Sequence, residues 1–432
     1  MTDAYPIRPT EEDEFPGFLA VGEHAFNSSW PTEPLRQHEL IVFEADRSLA
    51  AFDGASMVGT ACACTFRMTV PGGMTGAAGV TGVSVLPSHR RRGILTSLMA
   101  RQLTDIRDRG ESVAALFSSE SGIYGRYGYG VASDNVRFTI RRGEGALLRQ
   151  EAAAKTGGAK TGGARPGGEP GELRLRLAEP AEARAELAKV HDALLPGRPG
   201  MLARDDRWWD YRMAEPEFAR SGTCPQRALI AEDATGPRGY ALYSVRPEFG
   251  EDAIPAGVLG IRELMAVDPP AAAALWGDLL TRDLVSEVRA HMRPIDDPLL
   301  YMLADPRRAR SYVTDGLWIR LTDVPAALVQ RRYACELDMV IEVTDDLLAE
   351  NSGRWRLRAG GAGDRAGASC ERTSAAAEVA LPVRTLGAAY LGGRRLSALA
   401  AAGQAAELRP GALFALSAAM SWDLAPWCPT PF

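Results

Sequence analysis

Residues 79–100 of this 432-residue chain, G-V-T-G-V-S-V-L-P-S-H-R-R-R-G-I-L-T-S-L-M-A, constrain its fold more than any other stretch. Val80, Val83 and Val85 form a β-branched run that Pro87 ends, because proline has no N–H for a ladder. Beyond the turn, Leu95, Leu98, Met99, Leu103 and Ile106 recur at helical spacing and predict an amphipathic helix. A strand therefore feeds a basic, glycine-punctuated turn that opens directly into a helix.

That junction suits a phosphorylated ligand. The first N–H groups of a helix lack partners, and the helix dipole places partial positive charge there. Gly93 has no Cβ, so a bulky anion can approach the backbone, and Arg90, Arg91 and Arg92 add formal charge beside it. A pyrophosphate fits on the amides from Arg91 to Thr96. An ordinary turn with a solvated basic face accounts for R-x-x-G alone equally well, and the neighbouring residues carry the argument further.

A chain of this length exceeds one ordinary core and implies about three domains. Upstream, Leu49–Phe52 and Met57–Phe66 flank D-G-A-S, a hairpin signal, and Pro71-Gly72-Gly73 marks a second turn. Downstream, a strand at Val113–Phe117 leads into S-S-E-S-G-I-Y-G-R-Y-G-Y-G, and a further strand ends near Arg142. Residues 151–171 repeat A-K-T-G-G and read as a flexible insertion.

From Leu173 the pattern restarts. Strands near Arg227–Ala231, Tyr240–Val245 and Val258–Val267 precede V-D-P-P-A-A-A-A-L-W, which aligns with the first motif but lacks its arginines and glycine. Pro269 and Pro270 also delete two amides that a phosphate would use. Trp208 and Trp209 read as core aromatics. After Asp305–Arg308, strands near Trp318–Leu321, Leu337–Val343, Arg354–Arg358 and Cys370–Thr373 precede apolar helices around Val383–Leu391, Leu396–Ala402 and Ala412–Met420. Strands under a helical cover predict an α+β layer.

The net charge of −6 argues against a general nucleic-acid binder and leaves room for cationic substrates. The N-terminus lacks a signal-peptide pattern, and no apolar run is long enough to span a membrane. The six cysteines and five histidines are dispersed, and Cys62 and Cys64 fall on one face of a strand, where they pack rather than bind metal. The expectation is a cytoplasmic protein with reduced thiols and no metal.

The run V-S-V-x-P-x-H-R-R-R-G-I-L-T-x-L resembles the acetyl-CoA motif of the GNAT N-acetyltransferases, departing from it at Leu95, where many members carry Gly or Ala. The tyrosine-rich stretch after Phe117 resembles the same family, and D-G-L-W-I-R-L with A-A-Y-L-G-G-R-R-L-S-A-L resembles sterol-carrier-protein-like domains. A scaffold without bound lipid is the expectation for that last domain. Together these features, with the ending A-P-W-C-P-T-P-F, resemble the Eis (enhanced intracellular survival) acetyltransferases. The predicted class is α/β (α+β): a GNAT catalytic domain over 1–145, the insertion over 146–172, a degenerate GNAT-like domain over 173–304 and a sterol-carrier-protein-like domain over 305–432.

The resemblance implies acetyl-CoA as co-substrate, amines of aminoglycoside-like cationic small molecules as acceptors, and a homohexamer. It implies acetyl-CoA contacts at Val83, Ser84, Val85, Arg91, Arg92, Gly93, Ile94, Leu95, Thr96, Ser119 and Glu120. It makes Tyr124 the general acid and the carboxylate of Phe432 the base. The chemistry agrees: the amine loses a proton, attacks a thioester, and the departing thiolate needs one back. Amides near Val83–Val85 can polarise the carbonyl. A tyrosine with a reference pKa of about 10 keeps its proton at neutral pH, and Tyr127 and Tyr129 are rival acids. A terminal carboxylate is a weak base unless burial raises it or a water relays the proton. Two alternatives stay open: protein-lysine acetylation at the same site, and a lipid or sterol carrier whose GNAT domain senses CoA.

Overall fold

The computed structural model describes residues 5–28, 32–148, 173–220, 222–361 and 367–432. Of the expected insertion over 146–172, residues 149–172 lie outside them, as does Trp30. The chain divides into two compact units, one gathering the described residues of 1–134, 196–211 and 315–432, the other those of 135–195 and 212–314. Leu148 N donates to the Met302 carbonyl (2.7 Å) and Ala304 N to that of Ala146 (2.9 Å), so 146–148 belong to the second unit.

The first unit holds two sheets. Its seven-stranded sheet runs in the order Ile7–Pro9, Ser48–Asp53, Ser56–Val70, Gly73–Val85, Val113–Phe117, Leu317–Leu321, Gly130–Val131. The two hairpins stand where the turn chemistry places them, whereas the short Ile7–Pro9 strand carries no period of its own and was not legible. The motif helix, Ile94–Asp108, covers one face of this sheet. Its Leu98, Met99, Leu103 and Ile106 pack on Ala61, Ala63, Val80, Ala114, Leu116 and Trp318, with Leu95 half-buried at the margin.

The opposite face, with Phe66, Met68, Ala77, Ala115 and Ile319, shares a core with the second sheet of the unit. That sheet has the order Ser369–Arg372, Gly353–Ala359, Leu337–Thr344, Val379–Pro382, Ala406–Glu407. Its helical cover is Val383–Ala389, Leu396–Ala401 and Ala412–Met420, matching the α+β expectation. Arg331, fully buried, donates to the carbonyls of Tyr390 and Met420 (2.7 Å for the latter), so it joins the C-terminal ends of two of these helices.

The other unit is one seven-stranded sheet, ordered Tyr312–Asp315, Asp134–Arg141, Val285–Pro294, Gly257–Ala266, Gly236–Arg246, Arg227–Asp233, Arg174–Ala178. Helix Pro269–Leu280 packs on it through Ala271, Leu275, Trp276 and Leu279. Two strands stand where sequence order does not put them. Asp134–Arg141, read as the last strand of the first fold, pairs with Val285–Pro294, and its Val136, Phe138 and Ile140 enter the second unit's core. Leu317–Leu321, read with the C-terminal layer, pairs with Val113–Phe117 and Gly130–Val131 in the first sheet. Alternation reveals a strand but not its partner, because pairing depends on long-range register.

Candidate active site

The motif strand Gly73–Val85 pairs antiparallel with Ser56–Val70 until Cys62↔Thr81, then resumes at Thr60↔Ser84. Two residues, Gly82 and Val83, thus face one, which is a β-bulge. Gly82 takes φ +58°, and a Cβ there would lie 2.9 Å from Cys62 Sγ and 3.1 Å from Phe18, so only glycine fits. On its other side the strand runs parallel to Val113–Phe117 at Ala78↔Ala114 and Gly79↔Ala115, and the ladder goes no further although both strands continue. The strands splay beyond that pair, so Val83–Val85 lie past the last rung of the parallel ladder. Ser84 is buried with its hydroxyl unpaired among the described residues.

Past Pro87–His89, Arg91 takes φ +63° and Gly93 φ +85°, and Gly93 caps the motif helix. A Cβ at Gly93 would meet nothing within 4 Å. The protein leaves that space open in front of the first-turn amides of Ile94, Leu95 and Thr96. Arg90 donates to the Ala25 carbonyl (2.9 Å) and Arg92 to the Tyr5 hydroxyl (3.0 Å), while Arg91 is exposed. An open cradle before a helix first turn, a splayed ladder and a serine hydroxyl without a partner among the described residues together fit a pantetheine–pyrophosphate ligand.

The strand Val113–Phe117 ends into Ser118, Ser119 and Glu120, the last two exposed, and then the short helix Ser121–Tyr124. Tyr124 is buried, and that burial, with Tyr127 and Glu120 nearby, pushes its hydroxyl up to about 12. The rivals are differently engaged. Tyr127 shares a hydrogen bond with Thr96 Oγ1 (3.3 Å), and Tyr129 is fully buried edge-on to Tyr124, with ring centroids 6.0 Å apart.

Phe432 comes to the Val113–Phe117 strand from the far end of the chain. Its ring stands 5.2 Å from Phe66 and 5.3 Å from Phe117, and a Cβ on Gly79 would lie 3.1 Å from it. The last residue therefore sits at the splay point, on the strand end that leads to Tyr124. Trp208, expected in the core, is buried and packs 4.7 Å from Phe66. Gly79, Gly82, Phe66 and Phe117 shape the site without any signal in the sequence, since small or aromatic residues in strands are ordinary. Among the described residues no cluster of three or more His, Cys, Asp or Glu could hold a metal ion, and no helix is long and apolar enough to cross a membrane.

The second unit carries the same plan with its openings filled. Gly257–Ala266 runs parallel to Val285–Pro294 up to Ile261↔Ala290. Beyond that pair, Arg293 donates to the Leu264 carbonyl (2.6 Å) and to Asp297, while Glu263 is buried against Arg212 and Tyr240. The helix cap is Asp268, whose carboxylate accepts from Ala271 N (2.9 Å) and pairs with Arg238. A carboxylate already stands where an anion would bind.

Comparison with known proteins places these features. Acetyltransferase (GNAT) domain models match residues 6–132 and 200–321, and a sterol carrier protein domain matches 324–429. An uncharacterised N-acetyltransferase of Streptomyces coelicolor is 42% identical over 407 residues, covering 93% of each chain. N-acetyltransferase Eis of Mycobacterium tuberculosis is 35% identical over 425 residues, covering 96% of each. The crystal structure of Eis1 from Mycobacterium abscessus superposes with a TM-score of 0.79 at 32% identity, covering 99% of this chain and 100% of that one. A GCN5-related N-acetyltransferase from Anabaena variabilis, at 17% identity and TM-score 0.81, shares the fold. The chain belongs to the Eis family of GNAT N-acetyltransferases and is an acetyl-CoA-dependent acetyltransferase.

Proposed function

We propose that this enzyme acetylates amines of cationic, multi-amine small molecules of the aminoglycoside type, with Tyr124 as acid and the Phe432 carboxylate as base. The observation that carries this reading is the docked end of the chain, with Phe432 held between Phe66 and Phe117 at the splay of the motif strand. Bound acetyl-CoA would supply the acyl carbon and a thiolate leaving group. Gly93, Arg91, Arg92 and the first-turn amides of Ile94, Leu95 and Thr96 would hold its pyrophosphate, with Val83–Val85, Ser119 and Glu120 along its length. The amides of Val83 and Val85 orient and polarise the acyl carbonyl. The Phe432 carboxylate takes a proton from the substrate ammonium, directly or through one water, and neutralises the charge the amine brings in. Tyr124, kept protonated by burial, gives its proton to the sulfur.

Only the first fold would serve acetyl-CoA, because Asp268, Arg293 and the paired prolines occupy the corresponding openings of the second. A homohexamer, implied by family resemblance, belongs to the same reading; Phe414 and Tyr301, each 76% exposed, are apolar side chains that subunit contacts would cover. The test is a free-thiol assay with acetyl-CoA across aminoglycosides, other polyamines and lysine peptides, with mass spectrometry of the products. Multiple acetylation of an aminoglycoside is the expected result. Turnover confined to lysine peptides would replace the acceptor, and no CoA release with any amine would favour a carrier.

A further inference from the structure

The last eight residues are held by a segment more than two hundred positions upstream. Residues 199–203 add to the edge of the strand Ser56–Val70: Gly200 N donates to the Thr69 carbonyl, Thr69 N to that of Met201 (both 2.8 Å), and Ala203 N to that of Arg67 (2.9 Å). The tail lies along the same segment. Trp427 N donates to the Pro199 carbonyl (2.8 Å), Arg198 to that of Ala425 (2.8 Å), and a Cβ on Gly200 would press on the Trp427 backbone at 3.1 Å.

The contact nearest the terminus is the most specific. Arg204, 8% exposed and 4.9 Å over the Trp209 ring, directs both Nε and Nη2 at the hydroxyl of Thr430, at 2.9 and 2.8 Å. Thr430 is fully buried and two residues from Phe432. The path closes on itself: the strand bearing Phe66 holds the segment, the segment holds Thr430, and Thr430 delivers Phe432 back onto Phe66. Charge-assisted hydrogen bonds of this kind are about twice as strong as neutral ones, and two from one guanidinium also fix direction.

We propose that Arg204 is a positioning residue of the acyl-transfer site, acting through the Thr430 hydroxyl to hold the terminal carboxylate in register with the motif strand. The proposal rests on the reading of the Phe432 carboxylate as base. Proton transfer tolerates only about 0.5 Å of error at the heavy atoms, so a tail docked by apolar contact alone is too loose to serve. Prolines at 426, 429 and 431 stiffen the lever between Trp427 and Phe432, and the clamp sets its angle.

Thr430→Val keeps the shape and removes the acceptor, Thr430→Ser keeps the acceptor, and Arg204→Lys keeps the charge while losing the fork. Hydrogen exchange of the Trp427, Cys428, Thr430 and Phe432 amides and steady-state kinetics are measured on each full-length variant. Thr430→Val and Arg204→Lys should exchange roughly tenfold to a hundredfold faster in the tail, and kcat should fall roughly tenfold with KM for acetyl-CoA unchanged. Thr430→Ser should restore both. Unchanged tail exchange in both Thr430→Val and Arg204→Lys would overturn the clamp and leave the base reading standing. Faster exchange with wild-type kcat would overturn the base reading and the positioning role with it. If Thr430→Val does not fold, Arg204→Lys carries the same comparison.

Discussion

Gly93 offers a way to separate backbone strain from electrostatics at the cofactor site. It stands at φ +85° with open space where a side chain would start. Gly93→Ala therefore adds no clash with the protein and costs only the left-handed conformation, about 1–2 kcal/mol. Aspartate tolerates that conformation better than alanine, so Gly93→Asp should be the more stable of the two. Binding should rank them the other way. A carboxylate about 5 Å from a pyrophosphate bearing about two charges repels it by ~3 kcal/mol per charge pair at an effective dielectric near 20. Because Gly93 is exposed, solvent and salt cut this total of ~6 by about half. Roughly 3 kcal/mol weakens the Kd for CoA by about two orders of magnitude. The second unit carries this arrangement naturally, with the Asp268 carboxylate at its helix cap. Calorimetry with CoA and thermal melts of both variants provide the assay. Gly93→Asp binding within threefold of Gly93→Ala would refute the anion-cradle reasoning. So would two CoA molecules per chain of the unmodified protein.

Three further outcomes are expected. Tyr124→Phe should keep acetyl-CoA affinity and lose roughly two to four orders of magnitude in kcat, the usual worth of a positioned acid; a comparable loss from Tyr127→Phe or Tyr129→Phe with Tyr124→Phe near normal would reassign the hydroxyl. One glycine added after Phe432 displaces the carboxylate by ~3.5 Å, so turnover should fall sharply while folding and acetyl-CoA affinity hold; full activity would remove Phe432 from the chemistry. Burial raises the hydroxyl pKa of Tyr124, Tyr129, Tyr333 and Tyr390 above the ordinary value of about 10. Their contribution to stability is complete below that value and is lost as pH rises through the higher folded values, so the urea midpoint should drop steeply above pH ~10. A flat midpoint to pH ~11.5 would contradict that burial.

What could be read in the chain was local. The motif run declared its strand, turn and helix because β-branched alternation, Pro87 and the Leu98–Ile106 stripe each have one cheap conformation, and Gly93 permits the turn between them. The roles of Tyr124 and the tail at Phe432 came from resemblance, and nothing local to either residue names its partners; the Phe432 ring packs on Phe66 and Phe117. The bulge at Gly82 was not legible, because one glycine in a valine run looks like any other. Nor was the clamp at Arg204, whose partner lies 226 positions away. The positions of Asp134–Arg141 and Leu317–Leu321 escaped for the same reason: both read correctly as strands, and nothing within either names its neighbour.

The exchange of those two strands bears on how the protein is made. During synthesis the strand Val113–Phe117 emerges early, but the neighbour that covers its edge is residues 317–321. At 5–20 residues per second, the ribosome takes about 10–40 s to reach it. Until then the first sheet has an open, apolar edge of the kind that pairs with other chains. A nascent chain stalled or cleaved after the first GNAT region would carry that edge permanently and would lend its strand Asp134–Arg141 to no sheet. Catalytic halves cut at the apparent sequence boundaries should therefore come out as aggregates, whereas a chain that reaches residue 321 before release can close both sheets together.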